Sequence, residues 1–318
     1  MFRRSVEALV ADERSKQHHV VAERLSKVLA RSGTGRSGTG TPRSIRGGSE
    51  SSLPFLTEKM PERSLLDVKL RPDARRVVSD LVEEHGRSDL LRSYNLEPRH
   101  KLLLVGPPGN GKTTLAEAIA GELGLSLYTV RYEALIGSYL GETSSRIGEL
   151  FEYVRSRPGV LFFDEFDVVG KERADTNETG EVKRIVSTLL LQVDALPSYV
   201  VSVAATNHPE LLDRAAWRRF EVVLDLPQPT PAEAREWVAE LFERLGFPAE
   251  VPHPNALRPL SGMSYSEIEQ VALDAMRRFV LGSPMARENV RELFTDAMKA
   301  RKARRGMLVK RDDTDDGR

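Results

Sequence analysis

Residues 106–114 read Gly-Pro-Pro-Gly-Asn-Gly-Lys-Thr-Thr and follow the apolar run Lys-Leu-Leu-Leu-Val at 101–105. No other stretch narrows the possible folds as far. A strand that breaks into glycines and reopens as a helix starting Lys-Thr is the setting of a phosphate-binding loop. Gly106, Gly109 and Gly111 let successive backbone N–H groups approach phosphate oxygens. Lys112 supplies a point charge for the β- and γ-phosphates, and Thr113 supplies a hydroxyl for Mg2+. The helix N-terminus adds partial positive charge. Pro107, Pro108, Asn110 and Thr114 complete the loop, whose expected ligands are ATP and Mg2+.

Further along, residues 160–165 read Val-Leu-Phe-Phe-Asp-Glu. An apolar strand ending in two carboxylates, here expected to lie beside the phosphate-loop strand, suits phosphate chemistry. Asp164 would join the Mg2+ shell and Glu165 would polarise the attacking water. The apolar run 199–205 ends near Asn207, a residue suited to orienting that water or sensing the γ-phosphate. Arg218 and Arg219 stand just before Phe220. They read either as a solvated basic pair or as fingers inserted into a neighbouring subunit's site, where they would stabilise transition-state charge in trans.

Apolar runs alternate with helical stretches from 101 to 226, which predicts an α/β fold: a parallel sheet with helices on both faces. After Pro227 and Pro231 only helical patterns remain, over 232–245, 264–282 and about 286–303. The expected division is an ATPase domain over 57–228, a small α-helical domain over 229–305, and a charged, disordered tail over 306–318. Residues 1–30 carry apolar positions at helical spacing, and 31–56 are rich in Gly, Ser and Arg, as in a flexible tether. The first segment reads as a partner-docking helix or as a poorly ordered terminus.

Composition removes other classes. There are no cysteines, so disulfides, thiolate zinc sites and cysteine nucleophiles are excluded. Lys+Arg and Asp+Glu both number 47, a balance that disfavours non-specific nucleic-acid binding. No apolar run approaches the ~20 residues of a membrane span, and the start lacks a signal-peptide core, so a cytoplasmic protein is expected.

These motifs together resemble the classical branch of the AAA family of ring-forming ATPases, over about residues 62–300. Gly106–Thr113, Asp164–Glu165, Ala205–Asn207 with Pro209, and Arg218–Arg219 before Phe220–Glu221 stand in the family's order. Leu211-Leu212-Asp213, Leu226–Pro229 and Leu260-Ser261-Gly262-Met263-Ser264 fit as well. The resemblance implies a P-loop NTPase sheet followed by a helical lid, hydrolysis across shared interfaces, and a homo-hexamer. It implies an adenine-side contact from Gly262. Tyr139, Leu140 and Gly141 resemble the family's first pore loop, where an aromatic grips polypeptide; packing of Tyr139 in the core is the alternative. Residues 171–182 fit a second pore loop.

The arginine segment lacks the family's Arg-Pro-Gly-Arg spacing and is similar to the form in the meiotic clade, so which arginine is the main finger stays open. The leading expectation is a remodeller that threads polypeptide, recruited through residues 1–30 by an adaptor or a separate protease. A regulatory switch acting on one dedicated partner is the alternative. A DNA-acting member is a third class, against which the charge balance and the aromatic pore loop stand.

Overall fold

Strand and helix boundaries follow the sequence pattern closely in a computed structural model that describes residues 53–136, 140–167, 180–212, 214–247, 252–282 and 290–315. Residues 1–52, with the candidate docking helix and most of the tether, lie outside the described residues, as do Tyr139 and residues 168–179. The described chain falls within one unit, Glu50–Arg318.

Six strands form one sheet: β1 (Leu56–Lys59), β2 (Lys101–Val105), β3 (Ser126–Val130), β4 (Gly159–Phe163), β5 (Val200–Thr206) and β6 (Val222–Asp225). Their spatial order is β1-β3-β4-β5-β2-β6. The last five are parallel, as expected, while β1 pairs antiparallel with β3 and was not foreseen. The order also corrects an expectation: β5 lies between β4 and β2, so Asp164 and Glu165 do not leave a strand adjacent to the phosphate-loop strand. Parallel neighbours are set by long crossovers, which local pattern does not encode.

Helices α1 (Pro72–Gly86), α2 (Ser88–Ser93), α3 (Lys112–Leu123), α4 (Tyr132–Leu135), α5 (Leu140–Arg155), α6 (Gly180–Asp194) and α7 (Arg214–Trp217) connect the strands. The sheet's period of two divides its residues between two cores. Leu102, Leu104, Val160, Phe162, Val201 and Val203 pack with Leu115 and Ile119 of α3 and with Val78 and Leu81 of α1. Leu103, Leu161, Phe163, Val200 and Ala204 face the other way, onto Leu150 and Phe151 of α5 and Leu189 of α6. Every residue of β4 and β5 is buried, which explains their unbroken apolar character.

After β6 the chain is helical through α8 (Pro231–Leu245), α9 (Tyr265–Leu281) and α10 (Val290–Asp315), with a 3-10 segment at Pro254–Leu260. The starts of α8 and α9 are fixed by capping boxes, Thr230 with Glu233 and Ser264 with Glu267. Each reciprocal pair satisfies two otherwise orphaned N–H groups. Trp237, Leu241, Phe242, Val271, Phe294 and Met298 form a third core. Helix α10 continues to Asp315, through residues whose charge suggested an unstructured tail.

Candidate nucleotide site

The loop between β2 and α3 uses its glycines at two kinds of position. Gly106 adopts φ 146° against the backbone of Leu226, where an added Cβ would stand 2.3 Å from the Leu226 carbonyl oxygen. Gly109 and Gly111 adopt φ 77° and 90°, left-handed values that turn consecutive N–H groups the same way. Helix α3 begins directly at Lys112. The Lys112 side chain is buried, and its Nζ donates to the carbonyl oxygens of Gly106 at 2.6 Å and Pro107 at 3.0 Å. Burial pushes the Lys112 ammonium below its usual range, against the pull of Asp164 and Asp167. An anion beside Lys112 would reverse that shift.

The carboxylates after β4 reach the same place although β5 intervenes. Thr113 Oγ1 donates to Asp164 Oδ2 at 2.9 Å. Asp164 Oδ1 accepts the Glu165 N–H at 3.0 Å, and the Phe166 N–H donates to the Ala205 carbonyl at 2.8 Å. These bonds hold Glu165 at φ 52°, a left-handed conformation that costs a non-glycine residue about 1–2 kcal/mol. Strain of this kind persists only where surrounding structure fixes it, and it concentrates at functional sites. Thr206 Oγ1 donates to buried Asp167 at 3.1 Å and accepts the His208 N–H at 3.0 Å. That pairing fixes the turn that carries Asn207, whose side-chain oxygen is buried without a hydrogen-bond partner.

A cavity of about 440 Å3 gathers Pro108, Gly109, Asn110, Gly111, Lys112, Thr113, Thr114, Asp164, Glu165 and Asn207. Pro107 and Gly262 do not line it. Gly262, at φ 78°, shapes the turn before α9. The first turn of α9, just beyond it, joins the phosphate loop. The Ser266 N–H donates to the Gly109 carbonyl at 3.0 Å, the Tyr265 N–H donates to Asn110 Oδ1 at 3.3 Å, and both residues line the cavity. Helix α9 is thus docked on the phosphate loop itself.

Arg218 and Arg219 are not brought to this cavity. Arg218 is exposed in the turn after α7. Arg219 is drawn back against the end of α6, where it pairs with Asp194 and donates to the Leu190 carbonyl at 3.4 Å. The two arginines that sequence leaves equivalent are therefore distinct, one projecting and one anchored. Gly141 is exposed in the first turn of α5; Tyr139 and the side chain of Leu140 lie outside the described residues.

Sequence reasoning missed the far wall of the cavity. It consists of Arg63, Asp67, Val68 and Lys69, from a strap between β1 and α1, with Trp237, Arg244 and Glu269 from the helical part. The strap is tied to α3 by the Glu62 and Leu65 N–H groups, which donate to Glu117 and Glu122 at 3.1 Å each. It is tied to α8 by Lys69–Glu240 and by Arg71–Glu233 at 3.0 Å. Lys69 and Arg244 each approach the Trp237 ring, at 5.4 and 5.2 Å from its centroid. The only sequence signal of this strap was the Ser64-x-x-Asp67 capping box.

Residues 102–228 match the profile of the "ATPase family associated with various cellular activities (AAA)". An uncharacterized AAA family ATPase of Sinorhizobium fredii is 36% identical over 283 residues, covering 88% of this chain and 84% of that protein. The chain belongs to the AAA family. It is an ATPase and uses ATP. A putative 26S proteasome regulatory subunit homolog of Methanothermobacter marburgensis is 35% identical over 185 residues, or 57% of this chain and half of that protein. In fold, the AAA domain of FIGL-1 superposes with a TM-score of 0.60 at 23% identity, covering 78% of this chain and 86% of that one. Among the described residues of this AAA chain, no helix is long and apolar enough to cross a membrane.

Proposed function

We propose that this AAA ATPase works as a ring of identical subunits, a homo-hexamer, and spends ATP on remodelling protein substrates drawn through the ring's pore. One observation carries the reading. The groups that hold phosphate and activate water converge on one cavity, while the arginines that would complete its charge stabilisation point elsewhere. On this reading a second subunit supplies them. Arg218 is the reaching finger, and Arg219 is the anchor of its turn.

Within one subunit, Lys112 holds the β- and γ-phosphates. Asp164 and the Thr113 hydroxyl, already 2.9 Å apart, form a pair of hard oxygen donors suited to Mg2+. No group of three or more His, Cys, Asp or Glu able to hold a metal occurs among the described residues, and phosphate and water oxygens would complete a Mg2+ shell there. When bound there, Mg2+ neutralises charge on the phosphate oxygens. Glu165 polarises the attacking water, and Asn207 orients it. Residues 229–305 act as the lid over the base end of the cavity, with Tyr265 and Ser266 rather than Gly262 against the nucleotide side.

Threading rests on the pore-loop resemblance of Tyr139-Leu140-Gly141 and on relatives named for the proteasome. Residues 1–30 are the proposed dock for an adaptor or protease, and the cytoplasm the proposed compartment. The test mixes two inactive proteins, Glu165→Gln and the double variant Arg218→Ala/Arg219→Ala. Hydrolysis should return on mixing, since each supplies what the other lacks; a silent mixture rejects action in trans. Partners captured by ATP-loaded Glu165→Gln should be lost when Tyr139→Ala is added. A single partner retained without Tyr139 would replace threading by a regulatory switch.

A further inference from the structure

Glu165 and the arginine pair serve different ATP sites on the reading above, yet inside one subunit a line of aromatic rings joins them. Phe166 directly follows Glu165 and is almost wholly buried. Its ring packs edge-on against Phe163, with centroids 5.9 Å apart and planes at 66°, and against Phe220, at 5.8 Å and 85°. Phe220 directly follows Arg218 and Arg219.

Both ends of this line are held to the sheet. On one side, the Phe166 N–H donates to Ala205 in β5, next to the strained Glu165 peptide. On the other, Glu221 Oε2 accepts the N–H groups of His100 at 2.7 Å and Lys101 at 3.1 Å, at the start of β2. The arginine turn between α7 and β6 is thus held by the Phe220 ring, by Glu221 through its carboxylate and its N–H to the Lys101 carbonyl, and by Arg219 on Asp194 and the Leu190 carbonyl. Of these, the ring is the one seen to pack on the segment that carries Glu165.

We infer that Phe166 and Phe220 are positioning residues, through which the peptide bearing a subunit's own Glu165 sets the arginines that it lends to its neighbour. The inference rests on the trans reading and adds a direction to it. A rearrangement at one site, once Glu165 has acted, moves the finger that the next site needs. Packing suits this role, because two edge-on rings in a filled core shift together and leave no slack.

Mixed assemblies test it. Donor subunits carry Glu165→Gln and intact arginines; acceptor subunits carry Arg218→Ala/Arg219→Ala and an intact site. With donor in excess, hydrolysis in acceptor sites reads only how well donors present their arginines. Phe220→Leu in the donor alone should lower that rate by roughly two- to tenfold, the range that one edge-to-face pair transmits. Phe166→Leu in the donor should do the same although the donor's own site is already silent. The two together should cost no more than the larger single effect.

Placed in the acceptor, which has no arginines to position, Phe220→Leu should leave the rate within twofold. A general loss of stability would act from either side. Phe220→Met, whose unbranched, flexible side chain adapts to an irregular gap, provides the measurement if the leucine variant does not fold. An unchanged rate with either donor variant, or an equal loss from both sides, overturns the inference. A silent parent mixture overturns the trans reading itself, and this inference with it.

Discussion

Replacing Gly109 with alanine should loosen the lid from the phosphate loop, and the geometry allows the cost to be worked out. Gly109 adopts φ 77°, a region that alanine enters at about 1–2 kcal/mol. The new Cβ would stand 2.5 Å from Ser264 Oγ and 3.2 Å from both Ser264 Cβ and Ser266 Cβ. Overpacking of that kind adds about 1–3 kcal/mol. The total, about 2–5 kcal/mol, falls on the joint between the loop and α9. Ser264→Gly alone should cost only about a few tenths of a kcal/mol as a cap replacement. In the double variant Ser264 Oγ and Cβ, which make the shortest approach to the new methyl, are gone, and only Ser266 Cβ remains at 3.2 Å. The pair should then be more stable than the sum of the singles by about 1–3 kcal/mol, the steric share alone. Urea unfolding followed by Trp237 fluorescence, in a Trp217→Phe background, reads the lid directly, because Trp237 donates to the Tyr265 carbonyl at 3.1 Å. Additivity within about 0.5 kcal/mol would refute the claim that α9 sits on the loop at this contact.

Two further outcomes follow from the site and the strap. Lys112→Ala should lower ATP affinity by at least about 100-fold, since several charged hydrogen bonds vanish together; micromolar binding by equilibrium dialysis would reject the phosphate-loop assignment. The Glu233 carboxyl is held down at about 2 by Arg71 and by the Thr230 N–H, against a usual 4.5. The unfolded chain therefore takes up this proton first, so the stabilisation is complete above about pH 4.5 and is lost as pH falls toward 2. Glu233→Gln should flatten that part of the pH–stability curve, and an unchanged slope would assign acid sensitivity elsewhere.

The parts legible in sequence are those whose chemistry is local. Gly106 to Thr114 must be contiguous to wrap phosphate, and Asp164–Glu165 must end a strand, so both stand out as words in the text. Thr230 and Ser264 announce α8 and α9 through their partners three residues on. Strand order was illegible because the neighbours of β4 depend on crossovers, and a four-residue β1 beside a Gly- and Ser-rich stretch gives too little alternation to read. The strap escaped for a different reason. Its position depends on backbone N–H groups and on salt links to Glu117, Glu122, Glu233 and Glu240, all distant in sequence. Nor could the text separate Arg218 from Arg219, since Asp194 is reached only through the fold.

Strand β1 bears on how a shortened version of this protein would behave in the laboratory. Phe55 and Leu56, at 2% and 3% exposure, are stitched to the outer side of β3, and the Arg131 N–H donates to the Phe55 carbonyl at 3.0 Å. A piece cut at residue 102, where the family profile begins, would lay bare the N–H and C=O groups of Ser126–Val130 and the greasy ground beneath Phe55. Such a rim recruits other chains, so that piece should precipitate on expression. The smallest piece expected to stay in solution begins at or before Leu53, well ahead of the signature by which the family is found.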